Sequence, residues 1–224
     1  MEKKHQCRGP YEAYIKRPLD GILAAAGLIV LSPVLAAAAV MIRIKLGAPV
    51  LFVQERPGKD ERIFKLYKFR TMSDKRDGSG ELLPDSERLT GFGRRLRSAS
   101  IDELPELFNI VKGDMSFVGP RPLVPQYLPY YRGEERRRHE VRPGLSGLAQ
   151  IHGRNDLPWE ERFRYDVAYI DRITFLGDVS IVLQTVWKVV KREHVHVRGE
   201  GGLPDFDVYR RSQEADGSGM EHEG

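Results

Sequence analysis

One cysteine, Cys7, is the whole thiol inventory of this 224-residue chain. An intrachain disulfide and a thiolate metal cluster are therefore both excluded. The histidines His5, His139, His152, His194, His196 and His222 contain no HExxH spacing, which argues against a zinc hydrolase. There is no Gly-rich loop closing on GKS or GKT, so nucleotide hydrolysis of the Walker type has no support. Charge imbalance is small: the formal net charge is +4 and the pI near 9.1, which suits anionic partners without pointing to nucleic acid. The basic run Arg136-Arg137-Arg138-His139 follows Glu134 and Glu135 and has no interleaved aromatics. It reads as a solvated helix face or a lipid contact, and no nucleic-acid partner is expected.

What the chain does have is one long apolar stretch. Gly21 to Ile42 runs without a charge, and Ser32 and Pro33 sit near its middle. As one straight helix it would reach roughly 33 Å, enough to cross a hydrocarbon core of about 30 Å. Proline inside a helix removes a backbone hydrogen bond and kinks the axis, which would leave two arms of about 16 Å. Ser32 can serve a carbonyl freed at that break. Lys3, Lys4, Arg8, Lys16 and Arg17 precede the stretch and Arg43 and Lys45 follow it. Keeping both basic flanks on the cytoplasmic face favours a re-entrant hairpin, with an ordinary kinked span as the alternative. The stretch exceeds a signal-peptide core of about 7 to 15 residues, so it is expected to be retained.

These features divide the chain into a basic segment with a re-entrant membrane helix (1–48), a cytoplasmic catalytic domain (49–200) and a flexible C-terminal tail (201–224), the last inferred from its polar, Gly-rich composition. The expected fold is mainly helical α+β. A strand is expected over Pro49 to Val53, a turn at Arg56 to Lys59, and a half-buried strand over Ile63 to Phe69 with Lys65 and Lys68 toward one side. Asp74 to Asp85 is expected to be an exposed loop, and Met115 to Val118 a short apolar turn leading to Pro120.

The chemistry centres on Ser100 to Gly113. Leu104, Leu107, Phe108 and Val111 recur at helical spacing as one apolar face, with Gly113 as the stop. Either Ser100 or Asp102 would cap that helix, so the pair Asp102 and Glu103 lies at its start. Acids there also offset the helix dipole, a purely structural role worth about 0.3 to 1 kcal/mol each. Their surroundings suggest more: Arg94, Arg95 and Arg97 come just before, and Gly119-Pro120-Arg121-Pro122 just after. A carboxylate that attacks phosphorus beside one that holds a hard cation is a natural division of labour. Arg121, Arg142 and Arg154 are candidate phosphate ligands, each able to donate a bidentate pair.

Four long motifs in order, KRPLDGILAAAGLIVLSPV, FVQERPGKDERIFKLYKFRTM, RSASIDELPELFNIVKGDMSFVGPRPLVPQY and RHEVRPGLSGLAQIHGRN, resemble the bacterial sugar transferases. These are the monotopic polyprenyl-phosphate phosphoglycosyl transferases, and the likeness is to the small Campylobacter-type members of N-glycan assembly. The resemblance implies transfer of a phosphosugar from a UDP-sugar to polyprenyl (undecaprenyl) phosphate with release of UMP. It implies Asp102 as nucleophile and Glu103 as Mg²⁺ ligand with Asp102 beside it. It also marks Arg97 and Asp178 as site residues, and places the enzyme on the cytoplasmic face of the bacterial inner membrane.

Val179 to Val190, apolar and followed by Lys191 and Arg192, independently suits a helix at a membrane interface or the contact of a homodimer. The competing function is a non-catalytic membrane adaptor that binds anionic lipid. Formation of UMP from a UDP-sugar separates the two.

Overall fold

The computed structural model describes residues 7, 9–153, 157–191 and 203–220. Its apolar stretch forms two helices, α1 (Lys16–Val30) and α2 (Ser32–Lys45), which follow a π-helical turn at Tyr11–Ile15 and meet at a bend of 62°. Pro33 lies in the first turn of α2, where its missing N–H has no helical acceptor to lose. The Ser32 hydroxyl donates to the Ile29 carbonyl at 2.7 Å, as a carbonyl at the break requires. Among the described residues no single helix is long and apolar enough to cross a membrane. Ala24, Ala38 and Ile42 are buried against the rest of the protein, while Ile22, Ile29, Val30 and Ile44 are exposed.

Three polar anchors tie these helices to the globular part. Asp178 accepts from Tyr11 Oη at 2.7 Å, Lys16 Nζ at 2.6 Å and Tyr169 Oη at 2.9 Å. The Ser116 hydroxyl donates to Asp20. Arg17 caps the far end of a later helix by donating to the carbonyls of Ile110 and Val111.

Strands β1 (Leu51–Pro57) and β2 (Ile63–Phe69) pair antiparallel from Leu51 with Phe69 to Pro57 with Ile63, so β1 runs four residues beyond the expected Val53. Lys65 and Lys68 do not share a side as expected. They are three positions apart in a period-two structure, and only Lys68 enters the cleft described below. After the short α3 (Asp85–Arg88), Thr90 caps α4 (Gly91–Ser98) by accepting from Gly93 N at 3.1 Å. Gly93 is obligatory there, because a Cβ would sit 1.8 Å from the Thr71 carbonyl oxygen.

The acid pair lies in a 3-10 turn, Ile101–Glu103, entered through Ser100 in the left-handed conformation (φ 53°). Helix α5 (Glu106–Lys112) begins only afterward, with Pro105 at its N-cap and neither Ser100 nor Asp102 capping it. Gly113, at φ 93°, ends it as expected. Its buried face is Glu106, Leu107, Asn109 and Ile110, whereas Phe108 and Val111, expected inside, are exposed. The displaced register reflects the late start of the helix and the buried amide of Asn109. That amide accepts from Tyr67 N at 3.1 Å and donates to Lys65 O at 2.7 Å, fixing α5 to β2.

Ser116–Val118, expected as a turn, is a strand, β3, parallel to β4 (Gly144–Ser146). Beyond β4 come α6 (Leu148–His152), α7 (Trp159–Asp171) and α8 (Phe175–Lys191). Along α8, Leu176, Leu183, Val186 and Trp187 are exposed while Asp178 and Ile181 are buried, the one-sided exposure an interfacial helix requires. The C-terminal segment is not simply a flexible tail. Phe206–Met220 forms α9, and Phe206 is fully buried among Tyr127, Tyr131, Trp159 and Phe163. Buried Phe206 docks this otherwise polar helix together with buried Arg210, which pairs with Glu135, and Tyr209, whose hydroxyl donates to Glu160 at 2.6 Å.

Candidate active site

Between the hairpin, the 3-10 turn and α8 lies an open cleft of about 1200 Å³. Each chemical side chain reaches it from a different element. Strand β2 delivers Lys68, α4 delivers Arg97, and the 3-10 turn delivers Asp102 and Glu103. The Pro-Arg-Pro segment supplies Arg121, and the paired Arg138 and Asp166 form another part of the lining. Val53 of β1 and Val186 and Val189 of α8 add apolar lining.

Glu103 is the electrostatic hub. Its Oε1 accepts from Lys68 Nζ at 2.7 Å and from Arg121 Nη2 at 2.8 Å. Burial favours its neutral form, but Arg121 and Lys68 together outweigh that and hold its carboxyl well below the usual carboxylate range. Lys68 also lies 3.0 Å from Glu106 Oε1. Burial pushes Glu106 up to about 7, with Lys68 opposing and the Glu103 charge adding to the rise. Asp102, 9% exposed, is likewise raised, first by burial and then by the charge of Glu103, against the pull of Lys68, Arg97 and Arg121. Arg97 is held in place by its bond from Nε to Thr71 Oγ1 at 2.9 Å.

Among the described residues no group of three His, Cys, Asp or Glu side chains converges as a metal cage. Magnesium is commonly held by one or two carboxylates plus substrate phosphates, and the adjacent acids Asp102 and Glu103 fit that use. The donor set is all oxygen, as a hard cation prefers.

This constellation coincides with a family match: residues 11–192 match the family described as bacterial sugar transferase. The chain belongs to the bacterial sugar transferase family. An uncharacterized sugar transferase of Bacillus subtilis, EpsL, is 51% identical over 172 residues, covering 75% of this chain and 85% of that protein. A UDP-glucose:undecaprenyl-phosphate glucose-1-phosphate transferase of Caulobacter vibrioides is 37% identical, covering 81% of this chain and 72% of that protein. A UDP-N-acetylgalactosamine-undecaprenyl-phosphate N-acetylgalactosaminephosphotransferase of Aeromonas hydrophila is 39% identical, but there 79% of this chain covers only 44% of that protein. These likenesses reach the family as a whole and do not single out its small Campylobacter-type members.

In this sugar transferase the structure brings together four of the sequence-predicted site residues: Arg97, Asp102, Glu103 and Arg121 all line the cleft. Two others lie elsewhere. Arg142 is half-buried and donates from Nε to the Gly113 carbonyl at 2.9 Å, bracing the end of α5 rather than facing the cleft. Asp178 does not line the cleft; it accepts from Tyr11, Lys16 and Tyr169 and so anchors the N-terminal helices. Arg154 falls outside the described residues. Sequence reasoning missed Glu106 and placed Lys68 only on one side of a strand. It also read Arg138 as surface, although it is 3% exposed and paired with Asp166. For Glu106 a signal was available, since three residues from Glu103 places it on a neighbouring helical position.

Proposed function

We propose that this chain transfers a sugar 1-phosphate from a UDP-sugar to polyprenyl (undecaprenyl) phosphate at the membrane interface, through a covalent intermediate on Asp102. The carrying observation is a buried, otherwise expensive carboxylate, Asp102, set in a cleft among Lys68, Arg97 and Arg121. A perturbed carboxylate that faces a cleft lined by cations is suited to meet a phosphate group. The names of the Caulobacter and Aeromonas relatives support the substrates, and the exposed apolar faces of α1, α2 and α8 support the location.

In the first half-reaction an Asp102 carboxylate oxygen bonds to the sugar-linked phosphorus, and the bond from that phosphorus to the bridging oxygen breaks, so that UMP leaves with its electron pair. In the second, an oxygen of the lipid phosphate bonds to the same phosphorus and the bond to Asp102 breaks, regenerating the carboxylate. Arg97 and Arg121 bind and orient the diphosphate, while Lys68 keeps Glu103 ionised. When bound, Mg²⁺ would offset diphosphate charge, with Glu103 and Asp102 as its protein ligands.

In this reading the bent helix pair is a re-entrant anchor, broken at Ser32 and Pro33. It keeps the catalytic domain on the cytoplasmic face of the inner membrane, where a soluble donor meets a lipid acceptor. Asp102→Asn is expected to abolish UMP release from UDP-sugar without loss of membrane association. Undiminished release by that variant sinks the assignment.

A further inference from the structure

We propose that Arg138 is a positioning residue for Arg121, and that α9 completes its support. The basic run containing Arg138 finds no role in the chemistry above, yet Arg138 is the deepest guanidinium of the cleft wall. Its Nη2 donates to the backbone carbonyl of Arg121 at 2.8 Å, its Nε to Asp166 Oδ2 at 3.0 Å and its Nη1 to Tyr131 Oη at 3.0 Å. It lies over the rings of Tyr131 and Phe163, 5.6 and 5.5 Å from their centroids. Phe206 of α9 packs on the same two rings, 5.3 and 5.0 Å away. The family match ends at residue 192, so this floor is closed by a helix outside the matched region.

The geometry explains why a planar fork is used. Arg121 stands between two prolines, and Pro122 has no backbone N–H with which to fix the segment. The segment is instead held by its carbonyls: Gly144 N donates to Pro120 O, Arg138 to Arg121 O and Arg56 to Pro122 O. Of these, only Arg138 holds the residue whose side chain reaches Glu103. A lysine keeps the charge but cannot serve Asp166, Tyr131 and the carbonyl in one plane.

This inference rests on the phosphosugar-transfer reading for its rate measurements but not for its labelling measurement. Arg138→Lys and Tyr131→Phe are made in the wild-type and Arg121→Ala backgrounds; Tyr131→Phe removes one hydroxyl and serves if the lysine variant does not fold. UMP release and modification of Arg121 by phenylglyoxal, read by peptide mass spectrometry, are both followed. Release is expected to fall about tenfold for Arg138→Lys and less for Tyr131→Phe in the wild-type background, with little further loss where Arg121 is already gone. Modification of Arg121 is expected to quicken in both variants. Equal losses in the two backgrounds, or Arg121 modified at the wild-type rate in both variants, overturn the proposal. A wild-type protein that releases no UMP sinks the transfer reading instead, and leaves the labelling to decide the positioning.

Discussion

Asp102 and Glu103 are consecutive, yet their surroundings push them in opposite directions: two cations clamp Glu103, while burial and the neighbouring charge raise Asp102. The sequence showed both acids and two of the arginines because they lie in contiguous motifs. Lys68 and Arg138 reach the cleft only through tertiary approach, which local spacing does not encode, and Glu106 lies buried beside Lys68. Glu106 gives a direct test of this electrostatic picture. Its folded-state value is raised to about 7 from an ordinary 4.5, so the folded protein binds a proton there more readily than the unfolded chain. Its contribution is therefore favourable at low pH and is lost as pH rises through about 7. Glu106→Gln should melt relatively higher than wild type at pH 8, with the gap shrinking by pH 5. A gap that stays constant across that range contradicts the raised value.

At the scale of elements, the cleft depends on close approaches between backbones. The buried amide of Asn109 fixes α5 to β2, and so sets Glu106 against Lys68. The seat of α4 on Thr71, open only because residue 93 is glycine, sets Arg97. Gly93→Ala forces that helix off its seat and is expected to destabilise the fold by about 1 to 3 kcal/mol and to slow UMP release. Thermal melting together with a steady-state assay checks both, and unchanged values would show that α4 is not what fixes Arg97. The β1–β2 hairpin was legible because alternation and a Pro-Gly turn mark it. The pair β3 and β4 was not, because three residues cannot show a period. The register of α5 was misread because an apolar spacing does not reveal a polar amide that binds a neighbouring strand, nor a face left bare.

Across the whole molecule, exposed apolar side chains occur on α1, α2 and α8, while polar anchors at Asp20 and Asp178 hold α1 to the globular part. The bend at Ser32 and Pro33 was legible from proline chemistry. The docking of α9 was not, because buried Phe206 and the tertiary partners of Tyr209 and Arg210 carry it against a polar composition. Cys7, exposed and the sole cysteine, reports the topology without engineering. A re-entrant anchor predicts that an impermeant maleimide leaves Cys7 unlabelled in right-side-out vesicles and labels it once they are opened. Labelling of sealed vesicles would support a span instead.

The proposed reaction requires a bond between Asp102 and the sugar phosphate. The purified protein is mixed with UDP-sugar and Mg²⁺ in the absence of polyprenyl phosphate, quenched, and its intact mass and peptides are measured alongside UMP. The predicted result is UMP approaching one equivalent, with a phosphosugar adduct on the peptide carrying Asp102 that disappears when polyprenyl phosphate is added. UMP that forms only when both substrates are present, with no adduct at any time, would contradict it.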